Sequence, residues 1–135
     1  MEWPENHELN KSQSEFIIGI LGTDPFENYL SIYKQTKIKG RKVVIRRISN
    51  LSECLNCHII YISYSEKYRL SSILDYLRGE PVLTIGDSEG FAEKGVMFNM
   101  VLNENRIEFE VNEESIKKSK LTVSYKLLML AKHIY

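Results

Sequence analysis

The stretch Phe16-Ile17-Ile18-Gly19-Ile20-Leu21 decides how the rest of the chain is interpreted. It is almost continuously apolar and rich in β-branched residues, which is typical of a strand buried on both faces of a parallel sheet. The turn Gly22-Thr23-Asp24-Pro25 follows, in which Asp24 suits a helix N-cap and Pro25 the first helical position. Apolar residues then recur at helical spacing up to Gly40. A strand, a turn and a helix in this order predict the first unit of an α/β fold.

Three further strands are predicted at residues 42–48, 58–63 and 81–85. Charged residues flank the first of them, which favours a place near the edge of the sheet. Between the second and the third, Ser65 is expected to cap a helix that ends at Gly79. The apolar face of that helix consists of Leu70, Ile73, Leu74 and Leu77.

The last third of the chain has a different pattern. Residues 96–101 and 106–111 flank the turn Asn103-Glu104-Asn105, and in the second run apolar residues alternate with Glu108 and Glu110. This alternation predicts an antiparallel hairpin with one solvated face. A final helix is expected to carry Leu127, Leu128, Ala131 and Ile134 on one face.

Strand–helix units followed by a hairpin predict a three-layer α/β sandwich. Its sheet is expected to be mostly parallel and flavodoxin- or Rossmann-like, with strand order 2-1-3-4, the antiparallel hairpin at the far edge and the final helix after it. Residues 16–135 are interpreted as a single domain, and the polar residues 1–15 as an entry segment.

The charge balance excludes several classes of partner. Lys and Arg together number 18, as do Asp and Glu, so the formal net charge is +0. A nucleic-acid-binding domain is expected to be basic, so no nucleic-acid partner is predicted. No apolar run is long enough for a transmembrane helix, so no direct membrane insertion is predicted either, and no export signal is visible.

A candidate ligand site lies where the strands end. In sheets of this kind ligands bind beyond the carboxyl ends of the strands. We call this edge the strand-end rim; its candidate ligand-binding residues are Thr23, Asp24, Ser63, Tyr64, Asp87 and Ser88. The helix predicted after Asp24 directs its amides towards the rim, which suits an anion. The alternative is that these are ordinary turn and cap residues that bind nothing.

No catalytic constellation emerges from the sequence. A phosphate-accepting receiver domain shares this topology but needs an aspartate at the end of the third strand, where this chain has Ser63. There is no G-x-G-x-x-G fingerprint, phosphate-binding loop or G-x-S-x-G elbow. We therefore predict no catalytic residue, no cofactor and no metal site.

Cys54 and Cys57 leave three readings open. They precede the third strand rather than opening a helix after one, unlike the cysteines of a thioredoxin-type motif. Either the two cysteines are buried structural residues, or they form a local disulfide in an oxidising compartment, or they serve a thiol enzyme.

Several segments in order resemble the YfiR-like domain family. They include Cys57-His58-Ile59-Ile60-Tyr61-Ile62-Ser63, then Pro81-Val82-Leu83-Thr84-Ile85-Gly86-Asp87, Phe91-Ala92, Gly95-Val96-Met97-Phe98, and Arg106-Ile107-Glu108-Phe109-Glu110-Val111-Asn112. The closing stretch 121–131 with Ser124 continues the match, and Lys94-Gly95 departs from the family's glycine pair.

The resemblance implies an exported domain without catalytic activity. Its best understood relatives resemble periplasmic repressors of a membrane-bound diguanylate cyclase, and similar domains occur fused to sensor kinases. We therefore expect a periplasmic regulatory or sensor module whose partners are a membrane-bound diguanylate cyclase or kinase and a second copy of the chain. The alternative is a small-molecule domain for an anionic or nucleotide-like ligand, such as the sensor part of a histidine kinase.

The resemblance also bears on the start of the chain. Glu2-Trp3-Pro4 is similar to the end of the family's first helix, so residues 1–15 are interpreted as a remnant of that helix. An apolar groove is then expected on one face of the sheet, to be covered either by dimerisation or by Trp3.

Overall fold

The structure, a computed structural model, describes residues 15–23, 37–38 and 41–135. The helix predicted after Asp24, Asp24 itself, and residues 1–14 of the entry segment lie outside the described residues. Eight strands are described: β1 Glu15–Leu21, β2 Lys37–Ile38, β3 Arg41–Ile48, β4 Ile59–Ile62, β5 Leu83–Gly86, β6 Phe98–Asn103, β7 Arg106–Val111 and β8 His133–Ile134. They form one sheet in the order β2-β3-β1-β4-β5-β6-β7-β8.

The pairing confirms the predicted α/β fold class. β1 lies between β3 and β4, all three parallel, and β5 and β6 extend the parallel sheet beyond β4. β6 and β7 form the antiparallel hairpin, and Glu104 and Asn105 make its turn with positive φ angles of 48° and 66°. The predicted strand order is therefore correct, and among the described strands β3 has only the short β2 outside it.

Within the described residues, four α-helices and two 3-10 helices connect these strands. The α-helices are α1 Leu70–Leu77, α2 Phe91–Lys94, α3 Glu113–Lys118 and α4 Tyr125–Met129. The 3-10 helices span Leu51–Asn56 and Tyr64–Arg69.

Two local predictions need correction. The helical segment after β4 is capped by Ser63 rather than Ser65, because the Ser63 side chain accepts a hydrogen bond from the Ser65 amide. The final helix is also shorter than expected, and Ile134 belongs to β8 instead. The edge of β7 offers unpaired backbone groups, and Tyr135 N donates to Val111 O at 2.8 Å. The last residues therefore form β8, which hydrogen-bonds to these backbone groups, instead of a final helical turn.

The core consists of two clusters on opposite faces of the sheet. Ile60 and Ile62 face one side, where they pack with the α1 side chains Leu70, Ile73 and Leu77. The second cluster lies on the other face. It contains Leu83, Val111, Ile116, Leu121 and Leu128, with Ile85, Phe98 and Phe109 partly buried against it. Helical residues thus cover both faces, as a three-layer sandwich requires.

His58 connects the two central strands at their amino ends. Its backbone N donates to Ile17 O at 2.9 Å, and Ile17 N donates to the His58 Nδ1 at 3.1 Å. The fully buried ring stacks on Phe16 with centroids 4.4 Å apart. Through these two hydrogen bonds His58 links β1 to the start of β4 inside an apolar core.

Candidate functional site

The strand-end rim is described for five of its six predicted residues, and the structure divides them into two groups. Thr23, Ser63 and Tyr64 follow β1 and β4, which are neighbours in the sheet. Asp87 and Ser88 follow β5, two strands away from β1. Since neighbouring strands are about 4.8 Å apart, roughly 10 Å separates the first turn from the third.

Ser65 joins the turns after β1 and β4. Thr23 N donates to Ser65 Oγ at 2.8 Å, and Ser65 N donates to Ser63 Oγ at 3.4 Å. Gly22 makes this approach possible with a φ of +90°, because a Cβ there would collide with Ser65 Oγ and lie 2.9 Å from Glu66 Cγ. The structure thus brings Thr23 and Ser63 together, but the Thr23 amide is already bonded within the protein.

Sequence reasoning missed the role of Ser65. Ser65, two residues after the predicted strand 58–63, was interpreted as a helix cap, and the signal for its other role was the short spacing Ser63-x-Ser65. Such hydroxyls bond nearby backbone amides in turns as readily as in caps.

Charged and aromatic side chains surround this turn. Arg69 donates two hydrogen bonds to Glu66, at 2.6 and 2.9 Å. The bonded Arg69 guanidinium lowers the pKa of Glu66, so this carboxylate stays ionised next to Gly22. Tyr64 is exposed, and Lys67 Nζ donates to its hydroxyl at 3.4 Å. The Lys67 ammonium also lies 5.3 Å from the Tyr64 ring centroid.

The third turn is anchored by a buried amide. Ser88 N donates to Asn99 Oδ1 at 3.2 Å, and Asn99 Nδ2 donates back to Ser88 O at 2.8 Å. Asn99 is fully buried and Ser88 is nearly so. The predicted ligand residue Ser88 is therefore held by β6, and its neighbour Asp87 is the exposed group of the pair.

Asp87 lies on an acidic depression. The depression has a volume of about 520 Å³, and its charged lining residues are Asp87, Glu89, Glu93, Glu110 and Lys132. Tyr135 is also part of the lining. Partial burial raises the pKa of Tyr135, and the carboxylates of Glu110 and Glu93 raise it further. Four carboxylates against one ammonium group favour a cationic or neutral ligand at this turn.

Cys54 and Cys57 are buried free thiols in this structure. Burial raises the pKa of Cys54 to about 12 and that of Cys57 to about 11. Cys57 Sγ also donates to Glu53 O at 3.6 Å. Thiols in this environment are protonated at neutral pH and poor nucleophiles, which favours a structural role over thiol catalysis. A disulfide between them stays a prediction.

The hairpin carries the second candidate surface. An apolar groove of about 320 Å³ opens on the face of the sheet formed by β5, β6 and β7. The groove is lined by Leu83, Ile85, Phe98, Met100, Phe109 and Leu127. Beyond it, Leu102 and Ile107 at the end of the hairpin are 75% and 77% exposed. The groove expected beside the family's first helix depends on residues 1–14, which lie outside the described residues, so it stays a prediction.

Neither a metal centre nor a membrane span is found in the part of the chain that the structure describes. No group of three or more His, Cys, Asp and Glu side chains there is arranged to hold a metal ion. None of the described helices is long and apolar enough to cross a membrane.

Comparison with known families decides the classification. The model of the YfiR/HmsC-like family matches residues 1–132. The chain belongs to this family. YfiR-like domains are in general periplasmic, and the family is regulatory and typically non-catalytic.

Two solved structures resemble the fold. One is the ABC domain in complex with L-Trp from Streptococcus pneumonia, with a TM-score of 0.62 and 10% identity over 89% of this chain and 56% of that one. The other is a conserved domain protein from Vibrio cholerae O1 biovar El Tor, with a TM-score of 0.58 and 11% identity over 88% of this chain and 54% of that one. This chain thus spans just over half the length of each, and the similarity shows the fold alone.

Proposed function

We propose that this chain is a non-enzymatic periplasmic regulatory or sensor module that acts by protein contacts on a membrane-bound signalling protein, such as a diguanylate cyclase or a kinase. Family membership over residues 1–132 is the observation that carries the proposal. The described site chemistry supports it, because the rim amides and hydroxyls bond within the protein and the two thiols are held protonated. We further propose that the module works as a homodimer.

Co-purification from the native host tests this role. The full-length native protein, carrying a C-terminal affinity tag, is expected in the periplasmic fraction and in a crosslinked complex with an inner-membrane cyclase or kinase. A tagged periplasmic protein of similar size serves as the control for non-specific capture. Retention of the native full-length protein in the cytoplasm would contradict the proposal.

A sensor role is the second candidate, and the depression beside Asp87 is the observation that favours it. At about 520 Å³ it is large enough for a small molecule. Glu89, Glu93 and Glu110 would repel an anion at Asp87, so an anionic or nucleotide-like ligand would have to bind at the other end of the rim, where Lys67 lies beside Tyr64. The two ligand classes therefore belong to different ends of the rim.

A thermal-shift screen separates these classes. A ligand present at a hundred times its Kd is expected to add about 2.7 kcal/mol to the free energy of unfolding. Nucleotides and organic acids test whether an anionic ligand binds near Thr23 and Ser63. Amines and amino acids test whether a cationic or neutral ligand binds in the acidic depression. Asp87→Asn should reduce the shift for amines only. No shift with any of these compounds would remove the sensor role.

A further inference from the structure

The hairpin presents a continuous apolar ladder on one of its faces. The pairs Phe98–Val111, Met100–Phe109 and Leu102–Ile107 lie opposite each other across β6 and β7, so their side chains share one face. The alternate pairs Asn99–Glu110, Val101–Glu108 and Asn103–Arg106 occupy the other face. Every charged side chain of the two strands is therefore directed away from the ladder.

Burial falls steadily along this ladder. Val111 is fully buried, whereas Leu102 and Ile107 are 75% and 77% exposed. Of the eleven large hydrophobic side chains that are exposed among the described residues, seven lie in the hairpin or after it. These seven are Leu102, Ile107, Tyr125, Met129, Leu130, Ile134 and Tyr135. Of these, Leu102 and Ile107 are paired on the ladder face, and adjacent exposed apolar side chains of this kind mark an interaction surface.

The ladder combines a protrusion with a matching recess. Leu102 and Ile107 form the protrusion, and the groove of about 320 Å³, which extends from Met100 and Phe109 towards Phe98 and Ile85, forms the recess. The two are neighbours on one face, two residues or about 7 Å apart along β6. A two-fold axis near the pair Met100–Phe109 would place each protrusion in the recess of the other copy.

We propose that this ladder face is the self-association surface, occupied by the same face of a second copy of the chain. The inference rests on the proposed function, because it names the surface of the homodimer proposed there. A second copy fills recess and protrusion together, and the absence of charged side chains from the ladder removes like-charge repulsion between copies. From Phe98 to Leu102 the ladder is only about 14 Å long, so we expect a weak dimer that dissociates on dilution.

Sedimentation velocity over a range of protein concentrations tests the surface. The wild type should pass from monomer to dimer as the concentration rises. Leu102→Glu should weaken dimerisation at least about tenfold, because it puts a charge in the apolar recess of the partner. Tyr68→Glu is the matched control, since Tyr68 is 93% exposed on a distant 3-10 helix and should leave dimerisation unchanged. The circular dichroism of Leu102→Glu should match that of the wild type, because the site is exposed.

Cysteine pairing identifies the contact itself. Leu102→Cys mixed with Ile85→Cys should give an intermolecular disulfide, whereas Tyr68→Cys mixed with Ile85→Cys should not. Each variant carries only one of the two new cysteines, so a disulfide between positions 102 and 85 must join two copies of the chain. The native Cys54 and Cys57 are buried and should not interfere.

Three results would overturn the inference. The first is a wild type that stays monomeric at every concentration. The second is a dimer that Leu102→Glu leaves intact, which would contradict the surface but not the proposed homodimer. The third is a monomeric wild type that binds phosphatidylglycerol vesicles through Leu102, which would assign the ladder to lipid. Since all three are measured on purified protein, none depends on the co-purification test.

Discussion

The face of the sheet that carries Ile60 and the hairpin face that carries Ile107 are both rich in apolar residues, yet only the first is closed. Ile60 is fully buried beneath the α1 cluster, whereas Ile107 is 77% exposed. The same residue type on two strands of one sheet therefore contributes in two ways. Burial in the closed region stabilises the fold, and exposure at the hairpin leaves apolar area to be removed from water by a partner.

The comparison is tested most strongly by matched isoleucine truncations. Ile60→Ala should lower the free energy of unfolding by about 2–5 kcal/mol, because it leaves a cavity in a closed core. Ile107→Ala should change it by no more than about 0.5 kcal/mol. Urea unfolding at low protein concentration measures both without a contribution from self-association. Equal losses would show that the hairpin face is as closed as the core.

Two histidines extend the same comparison to polar groups. His58→Ala should destabilise the protein by about 3 kcal/mol, since it removes the acceptor of the Ile17 amide and the stack on Phe16. His133→Ala, at an exposed position in β8, should cost less than about 1 kcal/mol. Thermal unfolding of the two variants checks the difference. A loss of less than about 1 kcal/mol for His58→Ala would mean that the contacts of His58 between β1 and β4 contribute little to the free energy of unfolding.

Two glycines separate backbone strain from crowding at the rim. Gly22 and Gly90 have φ angles of +90° and +83°, but a Cβ at Gly90 would meet nothing within 4 Å. Alanine should therefore cost about 1 kcal/mol at Gly90, through strain alone. At Gly22 it should cost about 2 kcal/mol or more, because Ser65 must also move. Similar losses in the free energy of unfolding for the two variants would show that the turns after β1 and β4 can move apart without cost.

The buried thiols predict an effect that is confined to alkaline pH. Burial raises the pKa of Cys54 from 9.0 to about 12 and that of Cys57 from 9.0 to about 11. The stability linked to these protonated thiols is present below pH 9 and is lost as the pH rises towards those folded-state values. Unfolding followed from pH 8 to 12 should show this loss, and Cys54→Ala with Cys57→Ala should reduce its slope. Rapid alkylation of the native thiols at neutral pH would contradict their protonated state.

Periodicity was sufficient to predict the closed region of the fold. The continuous apolar run Phe16–Leu21 and the similar run at 58–63 indicated central parallel strands, and the alternation with Glu108 and Glu110 indicated the hairpin. These signals are local, since each depends on which faces of one strand are buried. The order 2-1-3-4 was predicted from the flavodoxin-like topology common to strand–helix units of this kind.

The rim and the ladder depend on contacts between distant segments. Thr23 and Ser65 are 42 residues apart, and nothing in either segment alone indicates their hydrogen bond. The alternation in β7 predicted a solvated face and an apolar face. The alternation could not indicate that the apolar face remains partly open. Leu102 and Ile107 stay exposed because α4 is too short to cover them. How far a helix reaches across a sheet is a tertiary property.

Methyl NMR at increasing protein concentration tests most directly whether one apolar region stabilises the fold and the other binds. The isoleucine, leucine and methionine methyl groups report both regions in one sample. The resonances of Ile107, Leu102 and Met100 should shift or broaden as the concentration rises, while those of Ile60 and Ile73 stay constant. Concentration-independent resonances at the hairpin, or changes in the core methyl groups instead, would contradict the division of the molecule into a closed region and a binding face.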